Sequence, residues 1–369
     1  MNTPLKGRDK VLHEASRQAE ICNACRYCEG YCAVFPALMR DTVFSHGAMT
    51  HLANLCHNCR GCYYACQYAP PHEFAVNLPG ILARMRSVSW QELAWPRNFG
   101  RAFNQSGLLI TVLCFLCISF IIFIAQMLGA QEGEGFYAVM SHGVMISIFI
   151  PAFLLPFFSL GYSLHKYWQL VEGEFIRPRH IAAAMRSALT MKNLDGGHGD
   201  GCNYEQEDRF GQARKYAHHM IFYGFMMCFA STISATFLHY VFDLPAPYPL
   251  FSIPKLFGVP GGILLGGGSL WYMYLKCLAD KSLGDARAWS GEMAIVAILG
   301  IVAISGLLLY VWGNTSWMPA LLSLHLGSVL CLFLITPYSK MAHGFYRVAA
   351  LIREAQYLDT QNHGKSPTT

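Results

Sequence analysis

The stretch that decides the fold is Gly107–Leu128, which reads GLLITVLCFLCISFIIFIAQML and contains no charged residue. A helix needs about 20 apolar residues to cross a hydrocarbon core about 30 Å thick. A helix on the surface of a soluble protein would instead carry charged or polar residues along one face. The stretch therefore predicts a transmembrane helix.

Five more apolar stretches of similar length follow along the chain. They are Phe136–Tyr162, Tyr216–Phe242, Gly258–Ala279, Met293–Val311 and Pro319–Pro337. Hydrophobic residues make up 54% of the sequence and charged residues only 13%, whereas about 25% is ordinary for a soluble domain. This composition excludes a disordered chain and argues against a soluble enzyme. We predict an all-α protein in which residues 107–343 form a six-helix transmembrane bundle.

The basic residues predict the orientation of this bundle. Of the 27 Lys and Arg, only Lys255 falls in the three connections that would face outward, 129–135, 243–257 and 312–318. Basic residues concentrate on the cytoplasmic side, and the polar N-terminus has no secretory signal. We expect a multi-pass protein of the inner membrane of a bacterium, with both termini cytoplasmic. The net charge of +5 then reflects this bias rather than a surface for nucleic acid. The expected cytoplasmic parts are a domain at 1–80, a juxtamembrane link at 81–106, a loop at 163–215 and a tail at 344–369.

The cytoplasmic N-terminal part contains one cysteine pattern twice. The first run has the spacing C-x2-C-x2-C-x3-C, and the second run repeats it; the runs are Cys22, Cys25, Cys28, Cys32 and Cys56, Cys59, Cys62, Cys66. This is the spacing of two-cluster ferredoxins, in which the fourth cysteine of each run binds the cluster of the other run. We predict one [4Fe-4S] cluster on Cys22, Cys25, Cys28 and Cys66, and a second on Cys56, Cys59, Cys62 and Cys32. Because the segment between the runs has helical character, we expect a helical ferredoxin-like domain.

Two other interpretations concern cysteines. Structural zinc takes four ligands, so eight cysteines in two groups overfill a zinc pattern, although zinc stays an alternative. The glycine-rich segment Leu194–Cys202 contains His198, Asp200 and Cys202 but lacks the Lys-Ser/Thr of a phosphate loop. We interpret it as a surface loop rather than as a nucleotide or metal site.

Histidines in the predicted helices form two layers. Ionisable residues within transmembrane helices are candidates for function. The layer near the outer face contains His142, His239 and His325, and the layer near the inner face contains His165, His218, His219 and His343. Two layers of imidazoles predict one or two haem b groups in a cytochrome b-like bundle.

Helical periodicity selects two pairs among these histidines. At 100° per residue, His325 and His343 would share one face of a continuous sixth helix, and His239 lies about 60° away from His218 on the third. The rise along each helix separates its two histidines by about 27–31 Å. We therefore predict that His218 and His343 bind an inner haem and that His239 and His325 bind an outer haem. The reserve ligands are His219, His142 and His165, since the phase of the second helix is disturbed by two prolines.

Together, the paired cysteine runs, the basic link and the helices that carry histidines resemble the tricarballylate utilisation protein B family, of the CitB type, over essentially the whole chain. The membrane half is also similar to the dihaem cytochrome subunit of respiratory nitrate reductase. The resemblance implies a partner, a cytoplasmic FAD-dependent dehydrogenase that oxidises tricarballylate. It implies that this protein reoxidises the reduced FAD and passes the electrons to the membrane quinone pool. The chain lacks a Rossmann glycine fingerprint, so we expect no FAD or dehydrogenase domain of its own.

We therefore expect an electron-transfer protein that uses two [4Fe-4S] clusters and haem b. One alternative is a haem-free iron–sulfur redox sensor or membrane anchor, and another is the same relay serving a different dehydrogenase. A donor would dock on a basic face around Arg26, Arg40 and Arg60. The quinone site is not located by the sequence, although Lys276, Asp280 and the link Trp90–Arg101 are candidates.

Overall fold

The computed structural model describes residues 7–128, 141–196, 199–204, 208–244 and 246–364. Within these ranges the regular structure is helical, and the only β-type pairing is an isolated bridge between Cys202 and Gly211. The prediction of an all-α protein is confirmed.

Five helices form the N-terminal part, and they bury a common apolar core. Their bounds are α1 Gly7–Cys25, α2 Val34–Arg40, α3 His46–Leu55, α4 Gly61–Tyr64 and α5 Leu78–Leu93. Side-chain caps fix two of the starts: Ser45 accepts a hydrogen bond from the backbone N–H of Ala48, and Asn77 accepts one from that of Gly80. The segment between the cysteine runs is thus largely helical, as the sequence predicts.

Six of the described helices are long and apolar enough to cross a membrane. Their bounds are α6 Arg97–Leu128, α7 His142–Leu170, α9 Ala213–Phe242, α10 Ile253–Leu278, α11 Trp289–Trp312 and α12 Met318–Ile335; the shorter α8, Pro178–Thr190, lies between α7 and α9. The number and order of spans agree with the sequence. Helix α6 begins earlier than predicted, because its first turns precede a break at Ser106, where φ is −139° and ψ is 36°.

The end of the sixth span differs from the prediction. Helix α12 ends at Ile335, two short 3₁₀ turns follow, and His343 is the first residue of a separate helix, α13, His343–Gly364. Pro337 lacks the N–H that would continue the α-helical ladder, and Ser339 is extended, with φ −100° and ψ 178°. The prediction that His325 and His343 share one continuous helix is therefore wrong.

Helix α13 lies on the N-terminal part and closes its core. Tyr346, Ala350 and Leu351 are buried against α3, α5 and α7. Arg40 donates two hydrogen bonds to the carboxylate of Glu354, at 2.7 and 2.6 Å. Burial raises the pKa of Glu354, but the hydrogen bonds from Arg40 and His51 and their charges outweigh it, so the pKa lies below its ordinary value.

Glycines bring α9 and α10 into close contact. A Cβ placed on Gly261 would stand 2.8 Å from the Cβ of Met227, and one on Gly268 would stand 2.7 Å from the Cβ of Met220. Small residues allow such backbone approach between membrane helices. The glycine-rich run of the fourth span therefore has the packing role that its composition predicts, and it fixes the helix that carries His218.

Candidate metal centres

The first group of cysteines surrounds a cavity at the exposed end of the N-terminal part. Helix α1 ends at Cys25, and Arg26 then adopts a left-handed backbone conformation with φ 54°. The cavity, of about 280 Å³, is lined by Cys22, Cys25, Cys28 and Cys66, and also by Cys62 of the adjoining group. Burial, together with the nearby Cys66, Cys28 and Cys25, raises the pKa of the Cys22 thiol to about 12. Cys66 of the second run therefore lies with the first three cysteines of the first run.

The second group is more deeply buried. Burial raises the pKa of Cys32 well above its ordinary value, with further increases from Cys59 and Cys56. Burial also raises the pKa of Cys62 well above its ordinary value. The nearby cysteines raise it further; they are Cys59, Cys32, Cys56 and Cys28. Cys32 thus lies among the cysteines of the other run, and Cys62 and Cys28 lie where the two groups adjoin.

The arrangement of the cysteines bears on the choice between a single metal ion and a cluster. Within the described part of the chain, no group of three or more His, Cys, Asp or Glu side chains is placed to hold one metal ion. A structural zinc would draw four sulfurs to about 2.3 Å from a single centre. A cubane instead spreads its four thiolates over the corners of a larger body. The four cysteines around the cavity of the first group are compatible with such a body, and the two clusters stay a prediction.

Three arginines hold the backbone of the second cysteine run. Arg86 donates to the carbonyls of Ala53 and Cys56 at 2.7 and 2.5 Å. Arg347 donates to those of Leu55 and Cys56 at 3.2 and 2.7 Å. We call Arg86, Arg347 and Arg214 the arginine collar.

The third member of the collar comes from a membrane helix. Arg214, in the first turn of α9, donates to the carbonyls of Asn58 and His57 at 2.7 and 2.9 Å. Burial lowers the pKa of His57 well below its ordinary value, and the charges of Arg347, Arg214 and Arg86 lower it further. The three guanidinium groups therefore converge on one short segment of backbone, 53–58.

The collar also links this segment to two histidines. His218 lies one turn after Arg214 on α9, and His343 lies one turn before Arg347 on α13. Their ring centroids are 5.8 Å apart, and the ring planes are nearly perpendicular, at 80°. The structure thus brings together the two residues that the sequence selects for an inner haem, although His343 lies on the separate helix α13 rather than on the sixth span.

The geometry of this histidine pair is compatible with axial ligation. The Nδ1 atom of His343 is 2.5 Å from the carbonyl oxygen of Lys340, which leaves Nε2 as the ligating nitrogen. The Nδ1 atom of His218 is buried without a hydrogen-bond partner in the described structure. The closeness of the two rings is therefore compatible with a shared ligand, and the assignment of the pair to an inner haem stays a prediction.

The other candidate histidines occupy separate places. His325 lies on α12 with Nδ1 3.1 Å from the hydroxyl of Ser305, and His239 lies near the end of α9, edge-on to Tyr240. Their role as an outer pair stays a prediction. His219 lies beside Tyr223, and His165 is exposed on α7 and is 3.1 Å from the amide nitrogen of Gln169. The side chain of His142 lies outside the described residues.

The predicted basic docking face is wrong. Arg60 is only 4% exposed and donates to the carbonyl of Tyr204, and Arg40 is held by Glu354. A basic docking face made of Arg26, Arg40 and Arg60 therefore does not exist, and only Arg26 is exposed. These arginines are inside because helix α13 and the 199–204 segment cover them, which the linear sequence does not reveal.

The candidates for a quinone site have structural partners. Lys276 is buried and forms an ion pair with Glu292 at 2.5 Å, and Lys340 joins the same carboxylate at 2.7 Å. Asp280 caps the short turn that follows α10. Trp90 stacks on Tyr346 inside the cytoplasmic core, with its ring centroid 5.6 Å away. These contacts give the residues structural roles. A pocket lined by Trp90 and Gly100 of the link and by Glu292 and Lys340 adjoins them, and a quinone site here stays a prediction.

The sequence missed the role of the segment after the glycine-rich stretch. Asn203 donates its backbone N–H to the carbonyl of Cys59 at 2.9 Å, and Cys202 is 3% exposed. The interpretation of 194–202 as a surface loop is therefore wrong at its C-terminal end, while His198 lies outside the described residues. The sequence did offer one signal, since the glycine run begins at the apolar Leu194 and ends at Cys202. Both of these residues are buried.

Comparisons with known proteins cover both halves of the chain. The family model described as citrate utilization protein B matches residues 101–365, and the model of the citrate utilization protein B Fer4-like domain matches residues 15–92. A curated relative, citrate utilization protein B of Escherichia coli, is 42% identical over 349 residues, which cover 93% of this chain and 91% of the relative. No solved structure matches.

Proposed function

Because this chain belongs to the citrate utilization protein B family, we propose that it carries electrons from a reduced cytoplasmic flavoprotein to quinone in the membrane. Two [4Fe-4S] clusters and haem b would supply the one-electron carriage that links these two-electron partners. By family resemblance the donor is the FAD-dependent dehydrogenase that oxidises tricarballylate.

The observation that carries this proposal is the continuity from the cysteines to the histidine pair. The backbone of 55–59, which bears Cys56 and Cys59, is hydrogen-bonded to Arg214 and Arg347. Those arginines stand one turn from His218 and His343 on their helices. A redox centre on each side of the collar would therefore be separated only by a short, rigid and well-bonded stretch of protein.

The same arrangement supports a direction. The first cysteine group borders solvent, since Arg26 and Tyr27 beside it are exposed, and the second group lies against the membrane helices. A soluble donor would therefore approach the cysteines of the first group. The chain's part is to bind, orient and insulate the redox groups.

Metal and haem analysis of the purified protein tests the proposal. We expect about eight iron and about eight acid-labile sulfides per chain, with a b-type α band in the reduced-minus-oxidised spectrum. Zinc without sulfide would refute the cluster assignment. His218→Ala and His325→Ala should each remove haem, and full retention of haem in both variants would overturn the assignment of the histidines.

A second candidate function is a haem-free iron–sulfur redox sensor or anchor. It is favoured by the exposed position of the first cysteine group, which a signalling partner could reach. The α band distinguishes the two functions, because only the relay requires it. Capture of a cytoplasmic flavoprotein from the native host, followed by identification of its substrate, would separate tricarballylate oxidation from service to a different dehydrogenase.

A further inference from the structure

The arginine collar concentrates positive charge without an opposing carboxylate. Arg86 is 5% exposed, and Arg214 and Arg347 are half-buried. Among the described residues, no Asp or Glu oxygen lies within 4.0 Å of these three guanidinium groups. Arg40 and Arg353 do have such partners, Glu354 and Glu174 respectively. Arg60, beside the same cysteine run, is buried on the carbonyl and ring of Tyr204 and likewise has no described carboxylate within 4.0 Å.

Buried guanidinium groups without a nearby negative charge raise the free energy of the folded protein. Their presence therefore indicates an anion close to the collar. Removing a cation from water carries a penalty of several kcal/mol unless an opposite charge is close. Backbone carbonyls satisfy the N–H donors of the collar but do not neutralise its charge.

The position of the collar identifies the anion. All of its hydrogen bonds described above reach carbonyls of residues 53–58, and Cys56 receives one from Arg86 and one from Arg347. An iron–sulfur cluster on four thiolates is negative and becomes more negative when it is reduced. The first cysteine group has no collar of this kind, and Arg26 beside it projects into solvent.

We propose that the arginine collar stabilises the reduced state of the cluster held by Cys32, Cys56, Cys59 and Cys62, so that this cluster has a higher reduction potential than its neighbour. This inference rests on the proposed function, because it requires that both clusters are present. The added electron stays closer to the membrane because three fixed positive charges attract it there. The collar residues are positioning residues, which act through the cluster and do not touch the electron donor.

The test is a redox titration followed by electron paramagnetic resonance on the detergent-purified full chain. A Cys62→Ser variant identifies the signal of the second cluster, since that signal should be lost or altered. Arg347→Gln should lower the midpoint potential of this signal by about 59 mV, which corresponds to a tenfold change in the equilibrium constant of a one-electron reduction. Arg347→Lys keeps the charge and should recover most of the shift, and the other cluster should not move.

The matched control is Arg353→Gln, which removes a buried cation from the same helix that is bonded to Val171 and Glu174 rather than to segment 53–58. It should leave both midpoints unchanged. Unchanged midpoints in Arg347→Gln with full iron content would overturn the inference, and so would an Arg347→Lys variant as low as Arg347→Gln. Loss of haem with an unchanged cluster midpoint would also overturn it, because the collar would then serve the haem propionates.

A second variant tests the inference if Arg347→Gln does not retain its iron–sulfur clusters. If Arg347→Gln loses iron, Arg214→Gln leaves both hydrogen bonds to Cys56 intact and should still lower the same midpoint. Loss of iron in every collar variant would overturn the inference and assign the collar a purely structural role. Absence of iron and sulfide in the unmodified protein would instead refute the proposed function itself.

Discussion

Substitution of Gly268 by Ala offers a sharp test of how the helix packing sets the histidine pair. A Cβ at this position would stand 2.7 Å from the Cβ of Met220 and 2.9 Å from the backbone nitrogen of Ile221. Ordinary contact begins at 3.4 Å, so α9 must move by at least the difference between 3.4 and 2.7 Å. The displaced turn adjoins His218, whose ring lies 5.8 Å from that of His343.

The magnitude follows from two opposing contributions. Overpacking of a tight contact costs about 1–3 kcal/mol, whereas alanine in place of a helical glycine gains about 0.5–1 kcal/mol. A net cost of about 1–2 kcal/mol corresponds to a five- to thirty-fold change in an equilibrium. We expect Gly268→Ala to weaken haem retention by this factor while iron and sulfide remain.

Gly267→Ala is the matched control, since it gives the same gain in helix propensity. Its Cβ would meet only the terminal methyl of Met220, at 3.4 Å, and that flexible end can move aside. The assay is the ratio of the haem α band to protein after equal dilution in detergent. Equal haem retention in the two variants would refute the claim that the glycine contact positions His218.

Three further outcomes follow from the described contacts. His343→Ala should abolish the b-type α band and leave about eight iron per chain, and a retained band would exclude His343 as a ligand. Cys22→Ser and Cys66→Ser should alter the same cluster signal and Cys32→Ser the other; if Cys66→Ser altered the signal that Cys32→Ser alters, the crossed assignment would be refuted. The low pKa of Glu354 makes its ion pair stabilising above pH 4.5 and progressively weaker as the pH falls through the folded-state value. Glu354→Gln should therefore lower the melting temperature at pH 7, by an amount corresponding to about 3–5 kcal/mol, with little difference near pH 3, and an equal difference at both pH values would contradict this.

The sequence predicted local features well, because those features depend on neighbours along the chain. Uncharged runs such as Gly107–Leu128 correspond to long apolar helices. The spacing within each cysteine run likewise anticipates which thiols lie together, since three positions two residues apart can wrap one body. The fourth cysteine of each run is harder to place, and the crossed assignment of Cys32 and Cys66 stays a prediction that rests on the precedent of interleaved runs.

Predictions that depended on long-range geometry were less reliable. The phase calculation for His343 assumed one continuous helix, and the break around Pro337 invalidates it. The expected basic surface failed because Arg60 and Arg40 are covered by segments more than a hundred residues away. Exposure of a charged residue depends on which distant segment packs over it, and this information is not present in local composition.

By itself the sequence determined the helical fold class, the six apolar spans and the repeated cysteine spacing, because periodicity and spacing are local quantities. Only the tertiary structure decided that His218 meets His343 across two helices and that Arg86, Arg214 and Arg347 converge on the second cysteine run. The physical reason is that packing brings together residues distant in the chain. Their hydrogen bonds and charges then act over a few ångströms, whatever their separation in sequence.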